Sequence, residues 1–402
     1  MSELLGPEAL EEAVAALLPE LVEIRRDLHR HPETARLEHR TTEVVARRLA
    51  AAGLEVRRLT GTGLVCDLGP APVRTGRRRV ALRADIDALP VPDTCGAPWE
   101  SVIAGVSHAC GHAVHTAVVL GAGLVLAGIA DRLPTGVRLL FQPAEEVMPG
   151  GALDVIEQGV MDGVDRIFAI HCDPRLEAGK VGTRIGPITS ASDPVTVTVT
   201  APGGHTSRPH LTGDVVNALG QVITQVPAVL GRRLDPRAGV NLTWGQVTAG
   251  ASHNAIPAAG TVRGTLRCLE VRAWEEASAV LRDAVAHVVA PLGVEAEVTI
   301  VRGVPPVVNE PASTRLIDEA VRTELGADAL VLTEQSLGGE DFAWLLTRAP
   351  GALARLGTRG PDAALQDLHR GDLAIDEDAI GIGVRVLARA ALLAVEGNVP
   401  VQ

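Results

Sequence analysis

Apolar residues recur at helical spacing through Pro7–His31, at Leu10, Val14, Leu17, Leu18, Leu21 and Ile24. This reads as an amphipathic helix that Pro32 stops, because proline lacks the N–H a helix interior needs. Thr41–Ala52 reads as a second helix, ended by Gly53. Leu64–Leu68 and Val80–Ala84 read as strands, the latter running into Asp85-Ile86-Asp87-Ala88-Leu89-Pro90. An apolar helix is predicted over Ala113–Leu133 and a strand over Val137–Phe141, which ends in Gln142-Pro143-Ala144-Glu145-Glu146. Arg166–Ile170 is another strand, ending in His171. Polar residues thus gather where apolar strands end, the edge at which open α/β sheets bind ligands.

The pattern changes near Thr189. Strands over Pro194–Thr200, Val240–Val247, Thr261–Leu269 and Ala296–Val301 alternate with helices over Asp214–Leu230 and Val271–Ala290. Asp214 is placed to cap the first of these helices. The order βαββαβ predicts a small antiparallel sheet covered by two helices. Afterwards the α/β style resumes, with helices over Ala312–Leu325 and Asp376–Val395 and strands over Ala329–Leu332 and Ala352–Gly357. The expected architecture is an α/β catalytic domain, 1–188 and 304–402, with a mixed or parallel sheet flanked by helices. An α+β domain, 189–303, is inserted in it as a lid and dimerisation module.

A length of 402 residues agrees with two domains. The formal charge of −12 argues against nucleic-acid binding, which calls for a basic face. Five cysteines, Cys66, Cys95, Cys110, Cys172 and Cys268, form no CxxC and are odd in number, which suits a reducing compartment. The stretch Met1–Glu20 is acidic and has no basic start, unlike a secretory signal. Together these place the protein in the cytoplasm. Ala113–Ala130 barely reaches membrane-spanning length and carries His115, so it reads as a buried core helix rather than a membrane segment.

The chemistry centres on Ser107–Thr116, with one thiol and three imidazoles in a short run. Cys110 and His112, two apart, would not share a helix face but could share a loop that turns at Gly111. Thiolate and imidazole suit a borderline-soft metal; the alternative is a helix start with solvated histidines. Glu145-Glu146, His171 and His369 are further donors on distant segments. If one residue of the Glu pair is a ligand, its neighbour is free to act as a general base. Otherwise the doublet is a solvated helix start.

Five motifs in combination carry a resemblance. They are Arg83-Ala84-Asp85-Ile86-Asp87-Ala88-Leu89-Pro90, His108-Ala109-Cys110-Gly111-His112, Gln142-Pro143-Ala144-Glu145-Glu146, Gly203-Gly204-His205 and Gly339-Glu340-Asp341-Phe342. On them the chain resembles the M20 family of metallopeptidases and amidohydrolases, in the subgroup that includes N-acyl-amino-acid amidohydrolases, hippurate hydrolases and indoleacetyl-amino-acid hydrolases. The resemblance implies two divalent metal ions, Zn or Mn with Co or Ni also accepted, held by Cys110, His112, Glu146, His171 and His369. His112 is the candidate bridge and Glu145 the general base. Asn254 and Arg267 match residues that hold a substrate carboxylate. Gly339 lets substrate approach the backbone or only supplies a turn. Asp85 and Asp87 match supporting positions rather than ligands. His205 matches a histidine that reaches the substrate of the opposite subunit of a homodimer; without the resemblance it reads as a surface loop histidine.

The implied activity is hydrolysis of the amide of a small N-acyl amino acid, with no nucleic-acid or membrane partner. Alternatives are a dipeptidase or carboxypeptidase of the same family and a non-catalytic binder of acyl-amino acids. The binder rests on one departure: the subgroup's Asp after the second metal ligand is here Ala113. Losing an acid that orients a histidine ligand typically costs roughly 10–100-fold in metal affinity or activity.

Overall fold

The structure, a computed structural model, describes residues 4–71 and 79–397. The chain begins with α1 (Pro7–Arg30), which starts on a proline at its first position, and α2 (His39–Ala51). Then come β1 (Val56–Arg58), β2 (Leu64–Leu68), β3 (Arg79–Asp85), α3 (His112–Ala127), β4 (Val137–Gln142), α4 (Ala152–Glu157), β5 (Val164–Glu177) and β6 (Val181–Thr183). The middle of the chain holds β7 (Ala191–Thr200), α5 (Val215–Arg233), β8 (Asn241–Ala249), β9 (Ala259–Cys268), α6 (Val271–Val289) and β10 (Glu295–Ile300). The rest is α7 (Pro311–Leu325), β11 (Leu330–Leu332), α8 (Phe342–Leu346), β12 (Gly351–Arg359) and α9 (Asp378–Glu396).

Two compact units result. The first comprises Met1–Gly186, Val308–Glu334 and Asp341–Gln402, the second Pro187–Val307 and Gln335–Glu340. In the first, eight strands form one mixed sheet in the order β1-β2-β4-β3-β5-β12-β6-β11. Its centre, β4-β3-β5-β12, is parallel. β3 and β4 are buried almost throughout, as central parallel strands must be.

Helix α3 is buried on all sides and packs on α1, α9 and β3. Its glycines are contact points. A Cβ at Gly121 would lie 2.6 Å from Leu21 Cδ1, and one at Gly123 would lie 2.1 Å from Leu139 Cδ1. The low polarity of this stretch thus reflects core packing. Among the described residues no helix is long and apolar enough to cross a membrane. The helix is shorter than its hydrophobic pattern suggests; a separate 3-10 turn over Ala130–Arg132 follows it. Strand β5 is longer than expected, running six residues past His171 to Glu177.

The second unit has a four-stranded antiparallel sheet, order β8-β9-β7-β10. Val195, Val197 and Val199 of β7 are buried at every second position, towards the layer formed by α5 and α6. Asp214 does cap α5, accepting the Asn217 N–H at 3.0 Å. A two-residue ribbon pairs Gly204-His205 with Ala255-Ile256.

Candidate metal centre

In the first unit the ends of β3 and β4, the start of α3 and the body of β5 bring donors together. The ligand atoms of Cys110, His112 and His171 all lie within 4.8 Å of one another, as do those of His112, Glu145 and Glu146, and of Cys110, Glu146 and His369. Cys110 Sγ is 3.6 Å from His171 Nε2. Glu146 Oε1 lies 3.7 Å from His112 Nε2 and 3.6 Å from His369 Nε2. Glu145 Oε2 is 4.0 Å from His112 Nε2.

The histidine tautomers follow from the other ring nitrogen. His112 Nδ1 donates to the Asp87 carbonyl at 2.9 Å, and His171 Nδ1 to the Cys172 carbonyl at 2.8 Å. Each thus turns its Nε2 towards the cluster, the arrangement of a metal-ligating imidazole. His112 Nε2 and Glu146 Oε1 are buried without a hydrogen-bond partner. Buried polar atoms are nearly always paired, so two orphans facing each other at this distance fit a cation between them.

Electrostatics agree. Burial opposes a charge on His112, yet Asp85, Asp87 and Glu146 prevail and raise it to about 10, so these acids favour positive charge at Nε2, carried by a proton that a bound metal ion would displace. Burial and then the Glu146, Glu145 and Asp85 carboxylates push the Cys110 thiol well up. A thiolate in this acidic setting calls for a cation beside it.

The backbone is shaped for the site. Gly111 has φ 88° at the turn between Cys110 and His112, where a Cβ would lie 2.9 Å from Cys172 Sγ. Ala144 and His369 also take the left-handed conformation, at φ 58° and 64°, without being glycine. Such strain persists only where neighbours enforce it. Ala144 N–H is held by Glu38 Oε1 at 2.8 Å, and His369 N–H by the Ala109 carbonyl at 2.8 Å.

The supporting residues are partly ones the sequence reading left without a role. His115 donates from Nδ1 to Asp85 Oδ1 at 2.5 Å and accepts the Cys172 N–H at 2.8 Å. Both its nitrogens are occupied, so it is a strut. Asp87 Oδ2 accepts the Glu146 N–H at 2.9 Å, so Asp87 steadies two of the candidate ligands. The concern over Ala113 changes accordingly: the His112 ring is oriented by the Asp87 carbonyl, without an acid at 113. Glu38 carried no sequence signal, because an isolated acid before a helix reads as a cap.

In the second unit the remaining candidates fall into two neighbouring pairs. His205 faces Ala255 across the short ribbon, next to Asn254, whose carbonyl accepts the Thr206 N–H at 3.2 Å. His205 Nδ1 accepts from the Ser207 N–H at 3.1 Å, so in the neutral ring the proton sits on the exposed Nε2. Arg267, on β9, donates to the Leu337 carbonyl, in the strip that also carries Gly339. Burial lowers the Arg267 pKa from its ordinary value.

The chain is similar to several known proteins. A putative glutamate–cysteine ligase 2-3 of Rhodococcus jostii (strain RHA1) is 51% identical over 368 residues, which is 91% of this chain. The chain spans only 46% of that protein's length. The N-acetyl-L-cysteine deacetylase of Bacillus subtilis (strain 168) is 34% identical over 374 residues, covering 91% of this chain and 86% of its own. Among solved structures, the YXEP protein of Bacillus subtilis, described as a dinuclear metal binding peptidase from M20 family, matches with a TM-score of 0.82 at 31% identity. That match covers 95% of this chain and 99% of the other, and includes the mixed sheet flanked by helices. Peptidase family M20/M25/M40 matches residues 81–393, most of both units, and the chain belongs to that family.

Proposed function

We propose that the protein hydrolyses the amide bond of N-acyl amino acids with two divalent metal ions, releasing a carboxylic acid and an amino acid. The observation that carries this is the convergence of Cys110, His112, Glu146, His171 and His369, with the buried His112 Nε2 and Glu146 Oε1 orphaned and facing each other. Those five residues would hold the ions. When bound, the ions would supply Lewis acidity for the scissile carbonyl and lower the pKa of the attacking water. Glu145 takes a proton from that water and passes it to the leaving nitrogen, a role worth roughly 10²–10⁴-fold in rate. Arg267 pairs bidentately with the substrate carboxylate, and Asn254, which lies with His205 near the opposite end of β9, would join it from a second copy. Gly339 leaves room for the substrate backbone. His205 donates from Nε2 to the oxyanion of the tetrahedral intermediate.

The donor set suits Zn first, and its carboxylates also accept Mn, Co or Ni. We further propose a homodimer in which His205 serves the active site of a second copy. The sheet edges β8 and β10 support it, because exposed edges tend to be paired or covered. Five free thiols favour the cytoplasm. N-acetylcysteine deserves first place among trial substrates, since the Bacillus subtilis relative is named for its deacetylation.

A peptidase reading is favoured by the description of the YXEP structure as a peptidase. One screen separates the two: N-acetyl amino acids, aromatic N-acyl amino acids and dipeptides, each with Zn, Mn, Co and Ni. Turnover of the N-acyl compounds that stops with a chelator and returns with metal is the expected result. Cleavage of dipeptides alone would make the protein a peptidase. Binding of acyl-amino acids with no turnover under any metal would make it a binder.

A further inference from the structure

A second group of donors lies in the first unit, on the segment that links β3 to α3. There Trp99 lies on the Arg26 guanidinium of α1, 4.1 Å from the ring centroid. Asp93 is fixed by backbone donors, accepting the Cys95 N–H at 3.0 Å and the Ser101 N–H at 2.8 Å. Its Oδ2 is then 3.0 Å from Nε2 of the buried His29 on α1. Cys95 Sγ is 3.9 Å from the same nitrogen. A thiol, an imidazole and a carboxylate thus converge, with all three donor atoms within 4.8 Å of one another.

The arrangement is unlike a nucleophile–base pair. A catalytic thiol needs its histidine to meet the thiol with one nitrogen and the orienting acid with the other. Here thiol and acid face a single nitrogen, while His29 Nδ1 is buried with no hydrogen-bond partner. Convergence on one point is what a small cation requires. With Zn–N and Zn–O near 2.0–2.1 Å and Zn–S near 2.3 Å, tetrahedral donors stand roughly 3.3–3.6 Å apart. The observed 3.0 and 3.9 Å bracket that spacing.

A second observation points the same way. The His108 ring is buried, with its centroid 6.4 Å from that of His29, and neither of its nitrogens has a hydrogen-bond partner. Orphaned buried atoms in one neighbourhood indicate an unseen ion or water nearby, while His29 Nε2 itself is hydrogen-bonded to Asp93 Oδ2 and Cys95 Sγ, contacts that an ion would replace. Burial and then the Arg25 charge push His29 down to about 4, and burial pushes the Cys95 thiol up to about 11, so the thiol would ligate only where a cation displaces its proton. The Arg25 guanidinium is itself answered by Glu377 at 3.3 Å. The His29 and Asp93 side chains are buried, and Cys95 is the partly exposed member of the group.

We propose that His29, Asp93 and Cys95 form an additional divalent-cation site of zinc type, distinct from the centre at His112, with its fourth position left to water. Its ion fastens the segment before the Cys110 loop to α1. The assignment does not depend on the reaction the protein catalyses.

The test uses the full chain loaded with zinc and freed of excess. Wild-type protein should retain one more zinc per chain than Cys95→Ala or Asp93→Asn, with hydrolysis unchanged in both variants. A second measurement leaves the segment intact. In a Cys110→Ser chain, cadmium should still produce a thiolate-to-metal charge-transfer band in the ultraviolet, and Cys110→Ser/Cys95→Ala should lose it. The other thiols, Cys66, Cys172 and Cys268, are buried in the cores. Equal zinc contents in wild type and both variants, or no cadmium band in the Cys110→Ser chain, would overturn the proposal.

Discussion

His115 and Asp85 are joined by a hydrogen bond of 2.5 Å between two buried side chains, one on α3 and one at the end of β3. Asp85 also accepts from Arg83 at 2.7 Å and lies 3.7 Å from His112 Nε2. Through its other nitrogen His115 holds the backbone of Cys172, next to His171. His115 therefore couples two candidate ligands without being one. His115→Ala should lower metal affinity about 10–100-fold, the usual cost of losing an outer partner. Metal titration of the purified variant measures this, with circular dichroism as the check that the fold persists.

Asp87 and Ala113 make a paired prediction. Asp87 carries both the carbonyl that orients His112 and the carboxylate that holds the Glu146 N–H. A side-chain change removes only the second, and with it the acid 3.4 Å from His112 Nδ1. Asp87→Ala should weaken metal binding by about tenfold or more. Ala113→Asp should bring no comparable gain, since the ring already has its partner. A large rise in affinity in Ala113→Asp would show that the Asp87 carbonyl is a poor substitute.

These two cases also mark what the sequence could reveal. Strands β3 and β4 were legible because short, mainly apolar runs, each broken by one arginine, end in polar residues. The order of elements in the second unit was legible because β7 alternates Val with Thr while α5 and α6 carry helical periods. Strand β1 and helix α4 are too short to produce a period, and β5 hides its length because Asp173 and Arg175 interrupt the apolar run. At the metal centre, residue types and motifs named the donors. The partners that orient them are largely backbone groups, such as the Asp87 and Cys172 carbonyls, and a carbonyl carries no side-chain signature. Ala113 read as a loss for that reason: the missing acid is visible in the sequence and the carbonyl in its place is not.

Glu145 and Glu146 should separate by phenotype. Glu145→Gln should keep its metal and lose roughly 10²–10⁴-fold in kcat, because an amide cannot take the proton. Glu146→Gln should lose metal as well, since Glu146 Oε1 stands between His112 and His369. Elemental analysis beside steady-state kinetics distinguishes them. A Glu145→Gln enzyme with near-normal kcat would remove Glu145 as the base.

The start of α7 supplies a pH dependence. Glu310 caps that helix, accepting from the Ala312 N–H at 2.8 Å and the Ser313 N–H at 2.6 Å, with Arg166 at 2.7 Å. Partial burial works against its charge, but these donors prevail and bring it down from 4.5 to about 2. A depressed acid stabilises the fold above its unfolded pKa, and the gain fades as pH falls towards the folded value. Glu310→Ala should therefore destabilise the protein by about 0.5–2 kcal/mol at pH 7. The difference should shrink between pH 4.5 and about 2. Urea midpoints of the two proteins across that range measure it, and a constant offset would show that the charge is irrelevant to the cap.

Asp341 gathers three of the ligand-bearing segments. Its Oδ1 accepts from Arg83 at 2.9 Å, and Arg83 in turn donates to Asp85, the partner of His115. It also accepts from Gln142 at 2.7 Å, at the end of the strand that leads to Glu145. Its Oδ2 takes the Ala152 N–H at 2.9 Å, just after the glycine loop that follows Glu146. That loop packs tightly on the carboxylate: a Cβ on Gly150 would lie 2.2 Å from Oδ2. Asp341 and Arg83 are both buried; breaking such a pair typically costs about 3–5 kcal/mol, an upper bound here because Arg83 keeps Asp85 as a partner. Asp341→Ala should thus lower the unfolding midpoint markedly. Asp341→Asn keeps the shape and some of the hydrogen bonds, so it should fold better yet hold the metal less tightly, because Arg83 then draws on Asp85 alone. Thermal unfolding with and without metal separates the two effects. If Asp341→Asn binds metal as wild type does, the network supports the fold and leaves the centre untouched.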